Sequence, residues 1–118
     1  MKQHLFLICA VLMTATIFVS AQTTLDLSLG NQAITAAGTY NVIQSGGGVT
    51  TNTLTINSTA AGTVQVTITG LNVSLTTGSP IMISNTNKGT ITITASGENI
   101  LETSDDVSHA SINNASHG

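Results

Sequence analysis

Residues 54–94 read LTINSTAAGTVQVTITGLNVSLTTGSPIMISNTNKGTITIT and contain one pattern twice. The copy that begins at Leu54 aligns with the copy that begins at Ile81, so the shift between them is 27 residues. Each copy holds a short apolar segment, a polar loop with a glycine, and a segment in which aliphatic and polar residues alternate. A repeat of this length made of short strands is typical of a solenoid, in which successive coils stack.

Weaker copies flank this pair. Residues 109–118 align with 80–89 at a shift of 29, and residues 35–42 align with 59–66 at a shift of 24. The first strand of each coil follows a glycine, where a corner with positive φ favours that residue. These glycines are Gly38, Gly62 and Gly89. The strands predicted for the three positions of the coil are 39–43, 63–69 and 90–95, then 48–50, 72–75 and 99–102, then 53–57, 80–84 and 110–113.

The alternation within the strands predicts one buried and one solvated face, because side chains on a strand alternate between two sides. Short strands at regular spacing are compatible with an antiparallel sandwich or with a parallel β-helix. The sequence has no Asn-Gly or Asp-Gly dipeptide, the strongest signal of a tight hairpin. Together with the repeat, this favours an all-β fold, a parallel β-helix of about three coils.

The N-terminus has the pattern of a signal peptide. A positive start with Lys2 precedes an apolar segment at 5–19 that is too short for a comfortable membrane span. Small residues at 19–21 then predict cleavage before Gln22, with an uncleaved anchor as the alternative. We therefore expect a signal peptide at 1–21 and a protein that is secreted or held at the cell surface.

The remaining chain divides into two parts. Leu25, Leu27 and Leu29 alternate with polar residues, so we expect residues 22–33 to form one short strand that caps the first coil. Residues 34–118 then form the coils. Gly118 aligns with Gly89, after which a new strand begins, so we expect the coils to be incomplete and further coils or domains to follow residue 118.

Charge and aromatic content exclude several classes of partner. Beyond residue 21 the only Lys or Arg is Lys88, against five Asp and Glu side chains. Nucleic acid and anionic membranes need a basic footprint, so neither is an expected partner. Beyond residue 21 there is also no cysteine for a disulfide, and Tyr40 is the only aromatic residue.

Threonine pairs are the most regular polar feature of the strands. Stacked on neighbouring coils, they resemble the ice-binding faces of some β-helical antifreeze proteins. The alternative is that Thr simply suits a solvated strand. We expect the second and third pairs to occupy equivalent positions of the first strand. The pairs are Thr53 with Thr55, Thr67 with Thr69, and Thr92 with Thr94.

Acidic and histidine residues near the C-terminus do not have the spacing of a metal site. Calcium prefers six to eight oxygen ligands, and zinc needs three or four nitrogen or sulfur ligands. We interpret these residues as solvated loop positions and expect no metal and no cofactor. They are Glu98, Glu102, Asp105, Asp106, His109 and His117.

The same composition argues against an enzyme. A polysaccharide lyase needs a strong base and cations that stabilise developing negative charge. A glycosidase needs two carboxyl groups across the sugar, whereas Asp105 and Asp106 are adjacent and would point to opposite faces of a strand. We therefore assign no catalytic residue.

Several stretches, in this order and spacing, resemble the secreted bacterial family of carbohydrate-binding domain-containing proteins. They are ITAAGTYNV at 34–42, VQVTITGLNV at 64–73, SPIMIS at 79–84 and GENIL at 97–101. The resemblance implies a right-handed parallel β-helix and binding of a polysaccharide or cell-surface glycan. Members of the family usually continue through further coils.

The resemblance does not identify binding residues. Sugar sites often use aromatic platforms, but our alignment places Tyr40 at the inward position of Val64. The first hypothesis is a non-catalytic carbohydrate-binding module. The alternatives are a structural or adhesive stalk without a small ligand and, more distantly, an ice-binding protein.

Overall fold

The computed structural model describes residues 21–104 and 111–114. This part of the chain consists of short strands, with one helical turn, a 3-10 helix at Leu27–Leu29. The strands are β1 Gln22–Asp26, β2 Gln32–Ile34, β3 Gly38–Ile43, β4 Leu54–Ile56, β5 Thr63–Thr69, β6 Asn72–Leu75, β7 Ile81–Ile83, β8 Thr90–Ser96, β9 Ile100–Thr103 and β10 Ile112–Asn114.

The strands form three sheets in which every pairing is parallel. The sheet orders are β1-β3-β5-β8, β2-β4-β7-β10 and β6-β9. From β4 onward successive strands fall in the three sheets in a fixed rotation, and β5, β7, β8, β9 and β10 each pair with an earlier strand of their own sheet. The antiparallel sandwich is therefore wrong for the described residues, and the predicted side-by-side stacking of like strands is present.

The register of the two central copies agrees with the repeat. Val64 lies beside Ile91 and Ile56 lies beside Ile83, both 27 residues apart. At the two ends the predicted register is wrong. Gly38 lies beside Val64, a shift of 26 rather than 24, and Ile112 lies beside Ile81, a shift of 31 rather than 29.

Both register errors are two residues long, which explains why they leave the inward and outward faces intact. The side-chain period of a strand is two, so a slip of two keeps every side chain on its own side. Loop length differs between repeats, and an alignment without gaps cannot follow that difference. The last strand, β10, is Ile112–Asn114 where 110–113 was predicted, and residue 110 lies outside the described residues.

The least regular predicted strand is 48–50. Only Thr50 makes a bridge there, to Val73, whereas the other two strands of this position form β6 and β9. Gly48 has a positive φ of 97°, which is incompatible with an extended strand. The Gly46–Gly48 corner therefore forms a loop.

Residues 22–33 contain two strands and a turn rather than the single predicted strand. Asp26 ends β1, because its Oδ1 accepts a hydrogen bond from Ser28 N at 2.8 Å and caps the 3-10 turn. Leu27 is buried in that turn, but Leu29 is 82% exposed. Since β1 pairs with β3 and β2 pairs with β4, the segment extends two of the sheets.

The core is a column of aliphatic side chains between the sheets. Ile56, fully buried, has Ile34 and Ile83 as its strand neighbours, and Leu54 lies beside Ile81. Burial of each such side chain contributes about 1.5–3 kcal/mol before the entropy cost of folding. The buried hydrophobic residues are Leu27, Ile34, Val42, Leu54, Ile56, Val64, Val66, Ile68, Leu71, Val73, Leu75, Ile81 and Ile83.

Side-chain amides connect the corners of neighbouring repeats. In each case an amide oxygen accepts a hydrogen bond from a backbone N–H that has no strand partner there. This satisfies donors that would be costly to leave unpaired. The pairs are Asn31 with Thr53 N at 3.0 Å, Gln44 with Asn72 N at 2.8 Å, Asn87 with Ser58 N at 2.9 Å and Asn99 with Leu71 N at 3.0 Å.

The corner glycines differ in their reason for being glycine. Gly38 and Gly62 have the expected positive φ, but Gly89 does not. A Cβ on Gly62 would lie 2.7 Å from the Cβ of Ala37, and a Cβ on Gly89 would lie 3.3 Å from Gly62 O. At Gly89 the requirement is therefore space between stacked corners rather than an unusual backbone angle.

Candidate functional site

The outward side of the β1-β3-β5-β8 sheet carries mostly hydroxyl and amide groups, with Asp26 and Ile43 at one end of the rows. Its core-facing side carries Val64, Val66 and Ile68 of β5, so the alternate residues point outward. We call this surface the outer polar face. Its residues are Gln22, Thr24, Asp26, Thr39, Asn41, Ile43, Thr63, Gln65, Thr67, Thr69, Thr90, Thr92, Thr94 and Ser96.

The threonine pairs do not stack as predicted. Thr67 lies beside Thr94, but Thr69 lies beside Ser96 and Thr92 lies beside Gln65. The two pairs are therefore offset by two residues. The first pair is elsewhere, because Thr55 lies on β4 between Ala33 and Met82. The face is accordingly a mixed array of hydroxyls and amides rather than a uniform threonine lattice.

Tyr40 does not contribute a platform to this face. It lies beside Val66 rather than at the predicted equivalent of Val64, and it is half-buried against the core. Its hydroxyl donates to Ala36 O at 2.9 Å. Contacts on the outer polar face therefore depend on hydrogen-bonding groups.

The predicted acidic and histidine positions are only partly described. Glu98 and Glu102 are exposed, and Glu102 lies beside Ser74 at the edge of the small β6-β9 sheet. Asp105, Asp106, His109 and His117 lie outside the described residues. Within the described part, no three His, Cys, Asp or Glu side chains are grouped so that they could hold a metal ion.

A cleft lies beside the outer polar face, where the loop after β3 passes the 3-10 turn. Its volume is about 230 Å³. We call it the Gly46 cleft, and it is lined by Ser28, Gln44, Gly46, Gly47, Val49 and Thr50. Sequence analysis did not identify this site. Its one signal was the run of three glycines at 46–48.

Hydrogen bonds hold the loop of the Gly46 cleft on two sides. On one side Ser28 Oγ accepts from Gly46 N at 2.7 Å. On the other side Gln44 Nε2 donates to Gly48 O at 2.6 Å, while Gln44 Oε1 accepts from Asn72 N of β6. The three glycines are therefore part of a braced loop.

Asp26 places a negative charge behind this loop. Its Oδ1 accepts from Ser28 N at 2.8 Å and from Ser45 N at 3.1 Å. Hydrogen bonds from the Ser45 hydroxyl and from the backbone N–H groups of Ser28 and Ser45 lower the pKa of Asp26 from 3.8 to about 2. The carboxylate is thus ionised at any physiological pH.

The structure defines an all-β protein of parallel sheets with a polar outer face and a small polar cleft. The described residues contain no helix long and apolar enough to cross a membrane. The family model described as carbohydrate-binding domain-containing protein matches residues 30–117. Because this match covers well over half of the chain, the protein belongs to that family. Neither the curated proteins nor the solved structures include a significant match to it.

Proposed function

We propose that the chain is a non-catalytic carbohydrate-binding module of a secreted or cell-surface protein. The observation that carries the proposal is the family match over residues 30–117. The outer polar face supplies a surface compatible with it. Threonine and serine hydroxyls both donate and accept hydrogen bonds, as do the amides of Gln65 and Asn41, and sugar hydroxyl groups need both functions.

The expected mode of binding is many weak contacts on a rigid surface. Each hydrogen bond that replaces one with water contributes only about 0.5–1.5 kcal/mol. The strands hold the hydroxyl and amide groups in rows about 4.8 Å apart, so little conformational entropy is lost when a polymer binds. Affinity would then increase with the length of polysaccharide that the face contacts.

The proposed scaffold is a right-handed parallel β-helix. The parallel neighbours in the described sheets are separated by long connections, and parallel crossovers are right-handed in about 98% of cases. We further propose that residues 1–21 direct export and are removed, that residues 22–33 close one end, and that residues 34–118 form the coils.

The charge distribution favours binding over catalysis. Lys88 is the one basic side chain in the described residues, and it lies in the loop before β8 rather than at the Gly46 cleft. Enzymes that cleave acidic polysaccharides use cations to stabilise developing negative charge. The described part of the chain offers no such group at the cleft or on the outer polar face.

The test is affinity gel electrophoresis of the full chain, expressed with its own N-terminus and recovered after export. The gels contain laminarin, xylan, galactomannan or polygalacturonate. We expect retardation by at least one of the neutral polysaccharides. A chain that is folded by circular dichroism but is retarded by none of them would overturn the proposal. Mass spectrometry of the exported protein checks for the mature N-terminus at Gln22.

A further inference from the structure

We infer that the Gly46 cleft is a subsite for one sugar ring of an uncharged polysaccharide, and that it disfavours acidic sugars. The inference rests on the proposed function and assigns to it a place and a ligand class. The cleft lies beside the outer polar face, since Gln44 follows directly on β3 of that sheet. A polysaccharide bound along the outer polar face would therefore place one sugar ring in the cleft.

The size and lining of the cleft suit a single ring. About 230 Å³ is below the roughly 300–1,000 Å³ of pockets that enclose larger small molecules. Ser28 and Thr50 offer hydroxyls at its wall. Val49 lines the same cleft and is 65% exposed, so the lining also includes an apolar surface. A sugar ring presents both hydroxyl edges and C–H faces, and this lining offers a partner for each.

The cleft exists before a ligand arrives. The hydrogen bonds from Gly46 N to Ser28 Oγ and from Gln44 Nε2 to Gly48 O fix the loop that forms one wall. A bound ring would therefore not need to order this loop, which lowers the cost of association. Gln44 acts as a positioning residue, because its oxygen accepts from Asn72 N and anchors the wall to the next coil.

Asp26 gives the cleft its charge preference. Ser28 lines the cleft, and its backbone N–H donates to the Asp26 carboxylate. In the described residues no Lys or Arg pairs with this carboxylate, and Lys88 lies in a different loop. A uronic acid in the cleft would meet a like charge without a compensating cation, whereas a neutral ring would not.

The first experiment fills the cleft. Gly47 does not have a positive φ, and a Cβ there meets nothing within 4 Å, so the backbone accepts Gly47→Leu. The matched control is Thr77→Leu, which adds the same side chain to an exposed loop that does not line the cleft. The ligand is the neutral polysaccharide that retards the parent chain most strongly. We expect Gly47→Leu to weaken its binding by tenfold or more. Thr77→Leu should bind as the parent does.

The outcomes separate the two proposals. If the parent and Gly47→Leu are retarded equally, the subsite is overturned while carbohydrate binding stands. A similar loss of polysaccharide binding in both Gly47→Leu and Thr77→Leu, with both variants folded by circular dichroism, would also overturn the subsite. If the parent binds nothing in the panel, the proposed function itself falls.

The second experiment tests the charge preference with matched ligands. The hydroxyethyl and carboxymethyl derivatives of one polysaccharide backbone differ in charge at similar size. We expect the parent chain to prefer the hydroxyethyl form by about fivefold or more at low ionic strength, and Asp26→Asn to reduce that preference to about twofold or less. An unchanged preference in Asp26→Asn would overturn the role of Asp26, and a parent chain that prefers the carboxymethyl form would overturn the ligand class.

Discussion

At the corners of this fold, single amide side chains form hydrogen bonds with backbone groups that have no strand partner there. Between paired strands the N–H groups that point toward the neighbouring strand donate to its carbonyls, but the corners have no such ladder. Asn87 shows the arrangement most fully, because its oxygen accepts from Ser58 N and its nitrogen donates to Gly89 O at 2.8 Å. One side chain thereby satisfies a donor and an acceptor on two different turns of the chain.

Substitution of Asn87 by alanine should therefore destabilise the protein. Ser58 is fully buried, so its N–H would lose its acceptor without access to water. We expect a loss of about 1–3 kcal/mol in the free energy of unfolding, measured by urea denaturation. Asn85→Ala is the control, because Asn85 is exposed in the same loop, and a change within about 0.5 kcal/mol is expected there. Equal effects of the two variants would show that Asn87 does not brace the corner.

Asp26 should make stability depend on pH in the acidic range. Its pKa is about 2 in the folded protein and near 3.8 when unfolded, so the unfolded state binds the proton more readily. The contribution of Asp26 is present above about pH 4 and is lost as the pH falls through about 2. Thermal melts between pH 5 and about 2 should show a smaller decline for Asp26→Asn than for the parent chain. A parallel decline of both proteins would contradict the assignment.

At the scale of the element, the corner before β5 is the one where an added glycine Cβ would make the closest contact. Gly62 combines a positive φ of 146° with a Cβ position 2.7 Å from Ala37 Cβ. The strand that follows can begin at Thr63 only because this residue has no side chain. The corner before β8 is built differently, since Gly89 is limited by Gly62 O and by Ser58.

Gly62→Ala should consequently cost about 2 kcal/mol or more in the free energy of unfolding, from backbone strain and from the overlap with Ala37. Gly47→Ala is the matched change in a loop where the backbone is unstrained and the space is open. There the expected effect lies between neutral and a gain of about 1 kcal/mol. Chemical denaturation of both variants distinguishes them, and a neutral Gly62→Ala would refute the proposed constraint.

For the whole molecule, stability should vary from strand to strand within each sheet, because the central strands have two neighbours and the edge strands have one. Val66 is 1% exposed and has Tyr40 and Ile93 as strand neighbours. Ile93 on β8 is only half-buried, and within the described residues β8 pairs with β5 alone. Protection should therefore be greatest in the middle of the stack.

Hydrogen exchange should reveal this edge as an alternating pattern in β8. Thr90 N donates to Gly62 O, so the N–H groups of residues 92, 94 and 96 also point toward β5 by the two-residue period of a strand. The amides of residues 91, 93 and 95 point away from it and should exchange faster, by tenfold or more. In β5, between two strands, neighbouring amides should not alternate. Uniform protection along β8 would indicate a strand partner on its other side.

Much of the fold could be predicted from the sequence because the central copies repeat without a gap. Val64, Val66 and Ile68 alternate with polar residues, and this pattern repeats 27 residues later. The prediction of a single strand at 22–33 was wrong for a local reason. Asp26 caps a turn, so the leucine alternation does not continue as a strand and Leu29 is left exposed.

The candidate site was less accessible to prediction. Ser28 and Gly46 are 18 residues apart and meet only because β1 and β3 are neighbours in one sheet. The alternation determined by itself which side chains point inward, because a strand has two faces and burial of aliphatic groups selects one. The tertiary structure alone decided the register at the ends and the Gly46 cleft, because both depend on how far each loop carries the chain before the next strand pairs.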